Sequence, residues 1–126
     1  MTFPEELKYS KSHEWVRYLD ETTALVGITD FAQEALGSLV FVNLPQVGDA
    51  TTAGEVFADV ESVKAVSDIF CPVTGIVAEV NKTLEDSPED MNDMPYETWM
   101  AKISDITGTE GLLDAAAYEK YTEEEA

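Results

Sequence analysis

Through much of the first hundred residues, apolar positions come in short runs separated by polar turn residues, the pattern of β-strands. "EWVRYL" and "TALVGI" flank the polar "DET", and "SLVFVNL" resumes the pattern after "TDFAQEALG". That intervening stretch predicts a short helix. Thr29 suits the N-cap, Phe31/Ala35 and Ala32/Leu36 fall at i,i+4, and Gly37 suits the position just past the last turn. "PQVGDATTAG" carries turn residues at Pro45, Gly48, Asp49 and Gly54. From Glu55 onward, Val56, Ala58 and Val60 point to one face of a strand, and Glu55, Asp59 and Glu61 to the other. "VSDIF" predicts a strand that "CPVTG" ends with Pro72 and Gly75. "IVAEVN" and "TWMAKI" predict two more, and "KTLEDSPEDMNDMPYE" between them reads as a long surface loop. The tail changes to helical spacing. A capping box from Thr107 to Glu110 and a second cap at Asp114 predict two short helices over about residues 107–123, with the last residues frayed.

The expected architecture is therefore a single mainly β domain spanning 1–126, with a short internal helix and short C-terminal helices. Within it, "DVESVKAVSD" holds Lys64, the only basic residue between Arg17 and Lys82, against ten Asp and Glu. Lys64 lies ten residues after Gly54 and eleven before Gly75. Two strands of near-equal length thus run out from one turn-rich edge and meet at a hairpin tip, residues 61–66. At about 3.3 Å per residue, such strands are expected to hold the amine away from the body of the protein. Val63 and Ala65 offer it no charge. The position suits an amine that another enzyme must grasp better than it suits a salt bridge.

Composition narrows the function. Seven basic residues against 26 acidic ones give a formal charge of −19. Such a surface repels nucleic-acid phosphates and anionic membranes, so neither is an expected partner. Two readings of the acidity stand: steering toward partners with basic faces, or solubility alone. No apolar run approaches the roughly 20 residues that span a bilayer. "MTFPEELKYSKSHEWV" lacks a signal core or transit composition, so a cytoplasmic location is expected. Cys71 is the only cysteine and His13 the only histidine. No internal disulfide follows, and a zinc site built from those ligands is excluded. Cys71, in "IFCPV", reads as a small buried apolar residue. A Cys-His nucleophile pair has no local signature. His13 reads as a local hydrogen-bonding residue at a strand start, and Trp15 and Trp99 as core anchors.

The segment "VGDATTAGEVFADVESVKAV" resembles the half-motif of the biotinyl/lipoyl carrier superfamily, and "CPVTGIVAEVN" resembles the half that follows the hairpin. Biotin carriers usually flank their lysine with methionine; Val63 and Ala65 stand here, which favours lipoate. "SHEWV", "GITDFAQEALGSLVFVNLP", "ESVKA" and "PYETWM" resemble the glycine cleavage H-protein family, in register from about Leu7 to Tyr121. Two features depart from that family's pattern. "PYETW" is shorter than the usual P-Y-x-x-G-W, and Ala35 stands where the family often has histidine.

The resemblance implies a lipoyl-type barrel-sandwich hybrid fold and a non-catalytic carrier, with lipoate amide-linked to Lys64 and no metal. It implies that the arm shuttles the aminomethyl group of glycine. The group would come from glycine decarboxylase (P-protein) and go to an aminomethyltransferase (T-protein), and dihydrolipoamide dehydrogenase (L-protein) would reoxidise the arm. Glu61, Ser62, Val63 and Ala65 are expected to be read by the lipoate-attaching enzyme. Glu14 and Asp68 are nominated as carboxylates of a cleft that shelters the loaded arm, the alternative for each being a solvated surface acid. Two other functions stay open: an H-like carrier that relays lipoate to other proteins, and an unmodified binding module.

Overall fold

The computed structural model describes residues 1–125. The expected β character is observed, as two antiparallel sheets that do not close into a barrel. The larger sheet joins β1 (Lys8–Tyr9), β2 (Glu14–Tyr18), β3 (Ala24–Ile28), β9 (Ala101–Thr109), β8 (Val73–Val80) and β5 (Ala50–Thr51), in that spatial order. The smaller contains β4 (Leu39–Asn43), β6 (Val56–Ser62) and β7 (Val66–Phe70), with β6 in the middle. Helix α1 (Asp30–Leu36) leads from the larger sheet to the smaller. Its N-cap is Thr29, whose hydroxyl accepts the Ala32 N–H. Gly37 ends it at φ +82°, a conformation that costs glycine little.

Three apolar clusters hold these elements. Leu39, Val42, Ala58, Val60 and Ile69 of the smaller sheet pack on Ile28 and Met100. Val16, Val26, Val73, Val77 and Ile103 form a second cluster on one face of the larger sheet, and Phe57 packs against both. Trp15, one residue from Val16, points to the opposite face. There it joins Leu7, Tyr9 and Tyr118 beneath α4 (Ala115–Glu125). Tyr9 and Tyr118 stack with ring centroids 4.5 Å apart and planes 4° off parallel. Gly27 is required under Trp15: a Cβ there would stand 2.6 Å from the indole ring.

Several expectations are corrected. The stretch expected to be a surface loop contains two single-turn helices, α2 (Thr83–Asp86) and α3 (Asp90–Asp93). Each buries one apolar residue completely, Leu84 and Met91, in the cluster of the smaller sheet. One apolar residue per turn among acids gives too little periodicity to signal a helix. Pro72 ends β7 as expected, but Gly75 lies inside β8. It fits because Ser104 O and Ile103 come within 2.7 Å of where its Cβ would be. The expected tail of two helices is one. Gly108 and Thr109 pair with Thr74 and Val73 in the sheet, so the Thr107–Glu110 capping box does not form. Asp114 does cap α4, accepting the Ala117 N–H at 2.8 Å, and the helix continues to Glu125. The two-residue strands β1 and β5 carry too little pattern to be seen in the sequence.

Because Leu84 is wholly buried, Leu84→Ala is expected to cost about 2–5 kcal/mol in urea unfolding. A surface-loop position would change by less than about 0.5 kcal/mol.

Candidate functional site

Lys64 lies at the tip of the β6–β7 hairpin, as the spacing predicted. The ladder runs through Val60↔Ser67 and Glu61↔Val66, and the Ser62 N–H donates to Ala65 O at 2.8 Å, leaving Val63 and Lys64 as the two central residues of the turn. The Ser62 hydroxyl accepts from the backbone N–H groups of Lys64 (3.3 Å) and Ala65 (3.1 Å). Ser62 is therefore buried and used within the turn, while Glu61, Val63 and Ala65 are exposed. Such side-chain bonds to the backbone fix tight turns without glycine.

The tip does not stand clear of the body, which corrects the expected reach of the hairpin. Val63 N–H donates to Ser38 O at 3.1 Å. The lysine stem lies over Gly37, with Cε 3.5 Å from where a Cβ would be. The cause is β4: it pairs with β6 up to Leu39↔Ser62, which brings the end of α1 against the turn. Among the described residues Lys64 makes no ion pair within 4.0 Å.

Between α1 and β7, the two elements that meet at Lys64, there is a cavity of about 150 Å³. Ile28, Phe31, Ala32, Ala35, Leu36 and Ile69 supply apolar walls, and Ser12, His13, Glu14, Ser67 and Asp68 the polar ones. It is smaller than grooves of about 410 and 430 Å³ elsewhere, but those do not touch α1. Glu14 and Asp68, nominated together, thus line one cavity. Their environments differ: Asp68 is exposed at the rim, and Glu14 is 1% exposed.

Glu14 sits in a cage of donors. Its Oε1 accepts from the hydroxyls of Ser10 (2.6 Å) and Ser12 (2.5 Å), and its Oε2 from Phe70 N–H (3.4 Å). Burial pushes its pKa up, and the Ser10, Ser12 and Phe70 bonds oppose that shift. The cavity wall thus holds a desolvated carboxyl with hydroxyl and amide donors but, among the described residues, no cation.

His13 is not the local residue it was expected to be. At φ +75° its ring turns toward α4, and Nδ1 lies 2.8 Å from the Tyr118 hydroxyl and Nε2 3.0 Å from Glu125. Burial holds its pKa below the usual histidine value, with Glu125 opposing that shift. The neutral ring fits one chain of donors. Nε2–H donates to Glu125, Nδ1 accepts from Tyr118 O–H, and Tyr118 accepts from Thr29 Oγ1 at 2.7 Å. Thr29 in turn caps α1, so α4 is tied to the helix that walls the cavity.

Tyr118 and Ser10 were missed in the sequence. No local signal marks Tyr118, whose contact with His13 spans 105 residues. The Ser-x-Ser-x-Glu spacing that ends at Glu14 could have found Ser10. Cys71 is buried, as expected, and donates to Val73 O. Trp15 is a buried core anchor and Trp99 packs partly against the same cluster. The short "PYETW" segment still grips β2: Trp15 Nε1–H donates to Pro95 O at 2.8 Å and Arg17 to Tyr96 O at 3.1 Å. Ala35 lies in the cavity wall and leaves it apolar at that point.

The comparisons agree with one another. Residues 7–125 match the family model described as Glycine cleavage H-protein. A Lachnoclostridium phytofermentans protein named glycine cleavage system H protein is 64% identical over 121 residues, covering 96% of this chain and 95% of its own. A Thermococcus gammatolerans protein, named a probable glycine cleavage system H protein, is 52% identical over 94% of this chain and 91% of its own. The crystal structure of a glycine cleavage system H protein from Mycobacterium marinum superposes with a TM-score of 0.88 at 38% identity, over 95% of this chain and 98% of that one.

The His13 network carries a pH dependence. A depressed folded-state pKa means that the unfolded chain takes up the proton first, so stability present above about pH 6.5 falls as pH drops through the folded value. The melting temperature of the wild type is expected to fall more between pH 7.5 and 5.5 than that of His13→Asn. Parallel curves would show that His13 does not contribute.

Proposed function

The chain belongs to the glycine cleavage H-protein family, and on that footing we propose that it is a non-catalytic carrier whose lipoate is amide-linked to Lys64. A bound lipoyl group supplies a sulfur that takes up the aminomethyl group of glycine and a dithiol that can be reoxidised. The proposed partners are glycine decarboxylase, an aminomethyltransferase, dihydrolipoamide dehydrogenase and a lipoate-attaching enzyme. On this reading the carrier works in the cytoplasm as one lipoyl domain.

The observation that carries the proposal is an exposed lysine at the end of the two elements that wall a cavity of about 150 Å³, partly apolar and lined by the buried Glu14. Lys64 emerges from a turn held without its side chain, so acylating Nζ disturbs no bond among the described residues. Amide formation removes one positive charge from the protein. Glu61, Val63 and Ala65 are exposed beside Lys64 in the hairpin and are the side chains an attaching enzyme can read. Ser62 acts indirectly, by shaping the turn.

The residues of the cavity fit such an arm. Gly37 leaves space over which the stem can swing toward α1. Phe31, Ala32, Leu36 and Ile69 exclude water from an apolar chain. In the same wall the Glu14 carboxylate, already short of solvent, can accept a charge-assisted hydrogen bond from an ammonium group. Asp68, exposed at the rim, can attract the same cation but holds it less firmly because water screens it.

Peptide mass mapping of protein made with a lipoate supply tests the proposal. Lipoyl is expected on the Lys64 peptide and on no other lysine, and Lys64→Arg is expected to melt like the wild type but support no turnover with glycine decarboxylase. Lipoyl at another lysine would overturn the assignment. A lipoylated wild type inert with glycine decarboxylase would instead favour the lipoate-relay reading.

A further inference from the structure

Asn92 lies in α3, within the stretch whose sequence pattern suggested only a loop. Its side chain reaches across to the chain between α1 and β4. Oδ1 accepts the Leu39 N–H at 2.9 Å, and Nδ2 donates to Gly37 O at 2.8 Å and to Gln33 Oε1 at 3.1 Å. Gly37 and Leu39 flank Ser38, whose carbonyl receives the Val63 N–H at 3.1 Å. Gly37 is also the surface beneath the Lys64 stem.

We propose that Asn92 is a positioning residue for the Lys64 arm: it fixes the Gly37–Leu39 platform on which the hairpin tip rests, and so the direction in which Nζ is presented. The inference rests on the reading of Lys64 as the modified lysine. Gly37 has no side chain to anchor it and more backbone freedom than any other residue type. Asn92 removes that freedom by gripping the residues on both sides of Ser38. Only a side chain with a donor and an acceptor on one short stem can do so. An aspartate would keep the bond to Leu39 N–H but turn a second oxygen toward Gly37 O. An alanine would leave the N–H of Leu39, itself a buried residue, without its partner.

The test compares Asn92→Ala and Asn92→Asp with Val77→Ala, a core change in the cluster of the larger sheet that lowers stability away from the tip. Two quantities are read: hydrogen exchange of the Val63 amide in the unmodified protein, and kcat and KM for acylation of Lys64 by a lipoate-attaching enzyme. For both Asn92 variants, Val63 exchange is expected to speed up about fivefold and kcat/KM to fall by about the same factor, the worth of one net hydrogen bond. Val77→Ala should leave both at wild-type values despite its lower melting temperature. Wild-type exchange and kinetics in the Asn92 variants would overturn the proposal, as would equal losses in Val77→Ala. If wild-type Lys64 takes up no lipoate, the carrier reading fails, and the exchange comparison still decides the role of Asn92.

Discussion

The burial of one carboxyl group organises the site. Placing Glu14 beneath the smaller sheet removes its water, which is costly unless the charge finds partners. The partners it has come from both sheets. Ser10 and Ser12 belong to the turn between β1 and β2, and the Phe70 amide belongs to β7. Satisfying Glu14 therefore sets where the end of β7 lies against the start of β2. The cavity between β7 and α1 follows from that placement. The carboxyl keeps a raised pKa because hydroxyls and one long amide bond do not replace full hydration. Such a group is poised to gain from an ammonium arriving in the cavity.

Around that centre, each wall is braced from a distant part of the chain. The N-terminus of α1 is capped by Thr29, which Tyr118 holds from α4. Its C-terminus is gripped from α3 by Asn92 and carries the tip of the lysine hairpin. The helices that surround the sheets thus fix the two ends of the short helix that walls the cavity. A turn closed by the Ser62 hydroxyl leaves the lysine exposed, with Gly37 beneath its stem.

Local chemistry was legible in the sequence wherever it was dense. The α1 boundaries follow from a capping threonine and a terminal glycine, and the lysine tip from the symmetry of Gly54 and Gly75 about Lys64. Glu14 and Asp68 were nominated through a family resemblance, and the fold brings both to one cavity. The spacing of residues could not say which of the two is buried, because that depends on which strand forms an edge. Leu84 and Met91 look isolated among acids, and only the sheet beneath them explains their helices. Residues 107–109 were misread for the opposite reason: a capping motif was present, but pairing with β8 offered those backbone groups better partners. His13 and Tyr118 touch only because α4 folds back over the larger sheet.

The lifetime of the glycine-loaded carrier in buffer, without the aminomethyltransferase, tests most directly whether Glu14 shelters the cargo. Glu14→Gln keeps the size of the side chain and removes its charge. A desolvated, charge-assisted bond is worth about 1.5–3 kcal/mol, so the variant, once lipoylated and loaded, is expected to release its ammonia and formaldehyde about tenfold faster or more. Equal half-lives for wild type and variant would contradict the account and leave Glu14 as a structural acid between two sheets.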